Sequence, residues 1–450
     1  MSSGLIWGGV GVVVIGVVAG VAWYLGPIAP IATGYAAKTS CSGHLIAERD
    51  LDDVAGDLPD NPLVPFLRTS ATDTTVSTSL LGAWRSTAYA TEHGCILADE
   101  EPAYADWTPR PPLDDSTAWP LGEGPVELPD DVDGAVLDAG IATAFTEDDP
   151  EGRARTTRAV VVAHRGALLA ERYGDGFGPD TRLLGWSMGK SLANAMVGRG
   201  VHQGLIDTGD DDLRPQLWTD DDPRAAITVE HLLSMTDGLA FEEVYDPDTD
   251  ATRMLFTPGD TGTYAAQQPL VEEPGTRWAY SSGTTNILCD VLQDAAAMGP
   301  EMADELLFEP LGMRSAVLEA DESGGLICSS FAYATARDWA RFGQLFLDDG
   351  VWDGQRLLGE GWVESSTRAV PEATEVPYGY QWWLNEGPSG ELRMPGVPAD
   401  AYWASGNEGQ QVVVIPSEEL VVVRLGFSGE FSGVDWGLEP MLEGIIDALP

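Results

Sequence analysis

Two β-rich hairpins stand far apart in this chain, and their separation limits the folds open to it. The first has a β-branched run from Arg158 to Ala163, a turn at His164-Arg165-Gly166, and a second strand from Ala167 to Tyr173. The other pairs Gln411 to Ile415 with Leu420 to Leu425 across Pro416-Ser417-Glu418-Glu419. Between them, Ser187 to Val201 has helical spacing, and the stretch from Val201 to Trp362 is mostly helical by periodicity. Strands at both ends with helices between predict an α+β fold. One antiparallel sheet is assembled from both ends, flanked by helices, and a helical subdomain is inserted in the middle. An alternating βαβ pattern is absent.

Ahead of this domain, expected over 129–450, two further segments are expected. The run from Leu5 to Leu25 is uncharged and apolar over 21 residues, enough to span about 30 Å of hydrocarbon as a helix. Trp7 lies near one end and Trp23 and Tyr24 near the other, where amphipathic rings suit the headgroup region. Residues 1–40 are therefore expected to form an N-terminal transmembrane anchor and a juxtamembrane segment, with Lys38 just outside the span. The bulk of the chain then lies outside the cytoplasm, in the periplasm or at the cell surface. Small residues around Tyr35 to Ala37 also offer a signal-peptidase site, and no basic residue before the run marks its orientation. Residues 41–128, mixed and rich in Pro, Asp and Thr, are expected to be an irregular extension, with Pro109 to Pro125 as a linker.

Charge narrows the partners. The chain carries 72 carboxylates against 24 lysines and arginines, a net charge of −48. That excludes sequence-independent nucleic-acid binding, which needs cations on phosphates, and docking on anionic lipid through basic patches. Carboxylates hold water and ions, and salt screens their repulsion, so the composition fits a saline environment. With 15 Trp, 12 Tyr and 11 Phe the chain can build a core. A bridge between Cys41 and Cys95 would close a loop of about 55 residues, worth roughly 4 kcal/mol. Cys289 and Cys328 are expected to be buried small hydrophobes. No Cys or His spacing resembles a metal site, so neither metal nor cofactor is expected.

Only two lysines occur, Lys38 and Lys190, and the second stands in Ser187-Met188-Gly189-Lys190. Residues three apart share a helix face, so the amine can lie against the serine hydroxyl. Serine is a weak nucleophile until a base takes its proton. Lysine serves as that base only if burial lowers its pKa from about 10.4, and arginine cannot replace it because it stays protonated. The overlapping G-x-S-x-G pattern needs a histidine late in the chain. Only His202 and His231 follow Ser187, and neither lies near the chain end.

Two later motifs can complete the chemistry. Pro274-Gly275 leads into Tyr280-Ser281-Ser282, where a phenol can relay a proton. Ala404-Ser405-Gly406-Asn407 precedes the last hairpin, and a backbone N–H there can share an oxyanion with that of Ser187.

The order of hairpin, S-x-x-K, helical insert, P-G-x-x-x-x-Y-S, G-x-x-G-Q and final hairpin resembles the β-lactamase-related serine hydrolases. The likeness is to class C β-lactamases, esterases and 6-aminohexanoate-dimer hydrolases. His231-Leu232-Leu233-Ser234-Met235-Thr236-Asp237-Gly238-Leu239 and Tyr378-Gly379-Tyr380-Gln381-Trp382-Trp383 add to it. The resemblance implies a β-lactamase/transpeptidase-like fold, with Ser187 as acylated nucleophile, Lys190 as base and Tyr280 as proton relay. It places the oxyanion on the N–H groups of Ser187 and Asn407. Tyr245, Trp382 and Trp383 are candidate pocket walls. Two departures matter. Y-x-N reads Tyr280-Ser281-Ser282, and K-T-G reads Ala404-Ser405-Gly406, losing a cation that binds carboxylates.

The expected function is hydrolysis of a small neutral ester or linear amide through an acyl-enzyme. The alternatives are a penicillin-recognising β-lactamase or D-Ala-D-Ala peptidase, and a catalytically silent surface binding protein. Oligomeric state is not legible.

Overall fold

The computed structural model describes residues 23, 25–59, 61–126, 128–146, 155–214, 216–219, 221–428 and 436–450. The hairpins predicted at the two ends meet in one six-stranded antiparallel sheet. Its order is Trp383–Leu384, Tyr402–Gly406, Gln410–Ile415, Leu420–Gly426, Thr157–His164 and Ala167–Tyr173. The join is the pairing of Leu420 with His164 through Arg424 with Val160.

The period of two along each strand sorts the β-branched residues onto two faces. Val161, Ala163, Val412, Val414, Val421 and Val423 join the larger core, with helices Met188–Gln203 and Ala336–Leu347. Val160, Val162, Val413, Ile415 and Val422 face helices Gly134–Ala144 and Leu438–Ile446. Gly343 lets helix Ala336–Leu347 lie close on the sheet, since a Cβ there would sit 2.6 Å from Val421 Cγ1. Most of the helical insert packs on the first face, with helix Ser282–Ala296 against Met188–Gln203. A small sheet of Leu183–Leu184, Ala332–Ala334 and Val317–Leu318 feeds the chain into Ser187.

The extension differs from the expectation. Residues 41–128 are not irregular throughout. Leu67–Ala71, Thr75–Leu80, Trp84–Thr91 and Gly94–Leu97 form a four-stranded antiparallel meander. Alternating small and polar residues, such as Thr75-Val76-Ser77-Thr78, bury every second side chain. Helix Ile28–Cys41 packs on this meander, and its Tyr35 ring lies 4.6 Å from that of Phe256 in the body. Thus the segment from Ile28 to residue 40 is part of the folded body rather than a juxtamembrane stalk. The expected linker also docks. Trp119 is buried, and the Arg341 guanidinium donates to Pro120 O (2.8 Å) and Gly122 O (2.6 Å).

Both extension and body are cross-linked. Cys41 is bonded to Cys95, as expected, with Cα atoms 6.0 Å apart. Cys289 and Cys328 are bonded too, which corrects their reading as plain apolar residues. They were expected to be buried, and they are; burial simply brings helix Ser282–Ala296 against the loop before Ser329 closely enough to bond. Lys38 is also corrected. Its ammonium is buried and lies 2.8 Å from Glu319 Oε2, while Cys95 O accepts a hydrogen bond from it.

The expected anchor lies outside the described residues, apart from Trp23 and Leu25. Leu25 packs with Ala29 and Leu80, inside the protein. Among the described residues, no helix is long and apolar enough to cross a membrane.

Candidate active site

Ser187 stands at the N-cap position of helix Met188–Gln203 without a side-chain cap bond, directly after Trp186, whose backbone is left-handed at φ +47°. The turn aims the hydroxyl into a cavity of about 660 Å³ whose walls include Tyr280, Trp383, Arg393, Trp403 and Asn407. One helical turn on, Lys190 Nζ donates to Ser187 Oγ at 3.0 Å, the contact that the i, i+3 spacing predicts.

Lys190 is only 1% exposed and forms no ion pair with a described carboxylate. Its other acceptors are Ser282 Oγ at 3.0 Å and Ser329 O at 3.1 Å. Burial pushes its pKa down to about 8, while the more distant charge of Glu243 pulls it partly back. The amine is therefore balanced between base and ammonium near pH 8, and a minor neutral fraction is present at neutral pH. The Tyr280 ring lies 4.7 Å from Nζ. Burial chiefly, and then Glu243, raise the Tyr280 phenol well above its ordinary range; the Ser187 hydroxyl pulls the other way. The phenol thus stays protonated near neutral pH.

Sequence reasoning missed the group behind the lysine. Ser282 stands at the third place of the Y-x-N pattern, and Glu243 backs it. Glu243 Oε2 accepts the Ser282 N–H (2.7 Å), and Oε1 accepts the Ser282 hydroxyl (2.7 Å) and that of Tyr245 (3.0 Å). Position within Y-S-S marked Ser282; no motif marked Glu243. The helix cap is Ser281, which accepts from Thr284 N–H.

The segment expected to supply the second oxyanion N–H lies on the same cavity. Gly406 lies so close to the nucleophile turn that a Cβ there would sit 2.0 Å from Gly185 O. Only glycine permits that approach, which sets Asn407 beside Ser187 on the same cavity. Trp186 Nε1 donates to Glu408 Oε2 at 3.0 Å and ties the two segments together.

Of the three candidate wall residues, one lines this cavity. Trp383 does, 5.4 Å from the Tyr280 ring. Trp382 is fully buried and stacks on Phe342 at 5.7 Å, because neighbouring residues of an extended chain point to opposite faces. Tyr245 is not on the cavity wall; it sits behind the lysine with Glu243 and Ser282. His231 closes a capping box with Thr228. Among the described residues, no group of three or more His, Cys, Asp or Glu is placed to hold a metal ion.

A family model for Beta-lactamase matches residues 142–427. The chain belongs to the Beta-lactamase family. A 6-aminohexanoate-dimer hydrolase from Paenarthrobacter ureafaciens is 28% identical over 323 residues, covering 64% of this chain and 77% of that protein. Among solved structures, a family VIII carboxylesterase superposes with a TM-score of 0.55 at 16% identity, over 72% of this chain and 99% of its own. A penicillin-binding-protein homologue from Caulobacter crescentus gives 0.54 at 17%, over 72% and 99%. The family hit covers the sheet, the helical insert and every residue described at the site, and leaves the extension outside it.

Proposed function

We propose that the protein is a serine hydrolase that cleaves an ester or linear amide through an acyl-enzyme. Ser187 Oγ attacks the carbonyl carbon while neutral Lys190 takes its proton. The N–H groups of Ser187 and Asn407 hold the oxyanion as it forms. Tyr280 passes a proton to the leaving oxygen or nitrogen, and Lys190 replenishes it. Water then repeats the sequence on the acyl group.

One observation carries this reading. A buried lysine that forms no ion pair with a described carboxylate stands 3.0 Å from a serine hydroxyl that opens onto a cavity. A structural lysine at that depth would be matched by an acid. The hydrolase names of the relatives support it further. The proposal includes a placement outside the cytoplasm on an N-terminal anchor. The apolar run Leu5 to Leu25 and the two disulfides, which persist in oxidising compartments, support that placement.

The test compares wild type with Ser187→Ala on p-nitrophenyl butyrate. Loss of turnover on the order of 10⁴-fold or more is expected; equal turnover would sink the proposal. The same ester supplied to intact and to lysed cells checks placement. Equal rates are expected, and a large rise on lysis would place the enzyme inside.

A further inference from the structure

Arg393 is the unusual cation of the cavity. Most arginines with described partners pair with acids, as carboxylates outnumber them so heavily. Arg393 forms no ion pair with a described carboxylate, and its guanidinium donates no hydrogen bond to a described residue. It lies instead over two indole rings, 5.1 Å from Trp383 and 5.4 Å from Trp403. Those tryptophans are cross-strand partners at the edge of the central sheet, so the guanidinium rests on a flat aromatic platform. One ring of that platform, Trp383, touches Tyr280. A single indole therefore separates the cation from the proton relay.

The segment holding Arg393 is fixed. Its backbone N–H donates to Asn385 O at 2.9 Å. The fully buried Asn385 amide donates to the carbonyls of Met394 (3.1 Å), Val397 (3.0 Å) and Pro398 (3.0 Å), and accepts the Met394 N–H at 2.8 Å. These bonds fix the backbone that carries Arg393, while its exposed side chain is steadied by the two indoles. Among the described residues, two carboxylates share the cavity wall, and both have other partners. Glu408 accepts from the Trp186 indole, and burial pushes its pKa up to about 7, which weakens its repulsion of an anion. Glu439 accepts the Gly396 N–H at 2.8 Å.

We infer that Arg393 docks a carboxylate of the substrate, so that the cavity takes a linear ester or amide with an apolar body and an acidic end. This rests on the hydrolase reading and deepens it. It replaces the expectation of a neutral substrate, which followed from the missing lysine of K-T-G. The cation has not been lost from the pocket; a different segment supplies it, with a planar fork suited to a carboxylate.

The experiment compares p-nitrophenyl butyrate with mono-p-nitrophenyl glutarate, which carries a free carboxylate. Wild type is expected to favour the acid by about ten- to hundredfold in kcat/KM, and Arg393→Gln to erase most of that ratio through KM. Arg393→Lys keeps the charge and should keep part of the preference, which a purely structural role would not predict. Raising salt should shrink the wild-type ratio by screening. A ratio that Arg393→Gln leaves unchanged overturns the inference while the hydrolase reading stands. If neither ester turns over, the hydrolase reading has failed and binding decides the inference. Calorimetric binding of glutaric acid monoanilide that weakens at least tenfold in Arg393→Gln supports the docking role. Equal or absent binding overturns it.

Discussion

Lys38 and Lys190 are the chain's only lysines, and the protein buries both to 1% exposure. Their surroundings differ in one respect. Lys38 meets a full opposite charge, Glu319, at 2.8 Å, with the Phe331 ring 4.5 Å from the ammonium. Lys190 meets two hydroxyls and a carbonyl. An ammonium beside a carboxylate gains Coulomb energy that offsets desolvation. One beside neutral oxygens gains hydrogen bonds alone, so shedding the proton becomes competitive. The same side chain at the same depth is a rivet in one region and, on the proposed mechanism, a base in the other, and the partner decides which.

Four substitutions can break or sharpen this contrast. The largest effect is expected at Lys190. Lys190→Met should lower kcat/KM on a neutral ester by about 10³-fold with the fold intact. In wild type the same quantity should rise with pH through about 8, because the neutral amine is the active form. A rate independent of pH between about pH 6 and 10 would argue that Lys190 does not act as base. At Lys38 the effect should fall on stability. Lys38→Met strands the Glu319 carboxylate and should cost about 3–5 kcal/mol in urea denaturation, with kcat per folded molecule within a few-fold of wild type. Adding Glu319→Gln, which removes the charge and keeps an acceptor for Ser42 and the Cys95 N–H, should recover much of that loss. A Lys38→Met protein of normal stability and lost activity would erase the contrast. The smallest effect is expected at Glu243. Its charge favours the ammonium form of Lys190, so Glu243→Gln should move the acid limb of the pH–rate profile to lower pH. A limb that stays or moves upward contradicts that role.

These residues also show where the sequence was legible. Ser187 and Lys190 are one helical turn apart, so local geometry alone brought them together. The two hairpins were legible because continuous β-branched runs, buried on both faces, reveal strands wherever their partners lie. Glu243 and Arg393 were not legible. They come from loops, and loops leave no period to read. Trp382 and Trp383 could not be told apart for a different reason. Side-chain direction alternates along an extended chain, and a register shift of one would exchange core for cavity. Lys38 was misplaced because a cation after an apolar run looks like a membrane boundary. Its partner, Glu319, lies 281 positions along the chain, beyond the reach of any local pattern. The extension's strands were missed because Thr and Ser alternate with few large apolar residues, for example in Thr75-Val76-Ser77-Thr78.

The Cys289–Cys328 bridge bears on the base in a further way. Ser282 opens the helix that carries Cys289, and Ser329 directly follows Cys328. Two of the three groups that accept from Lys190 therefore hang from one covalent span. Separating them would let solvent in among them. A hydrated amine would regain the proton affinity it has in water, and on the proposed mechanism the serine would lose its base. The bridge is in this sense a seal as well as a brace, because dryness holds the Lys190 pKa down.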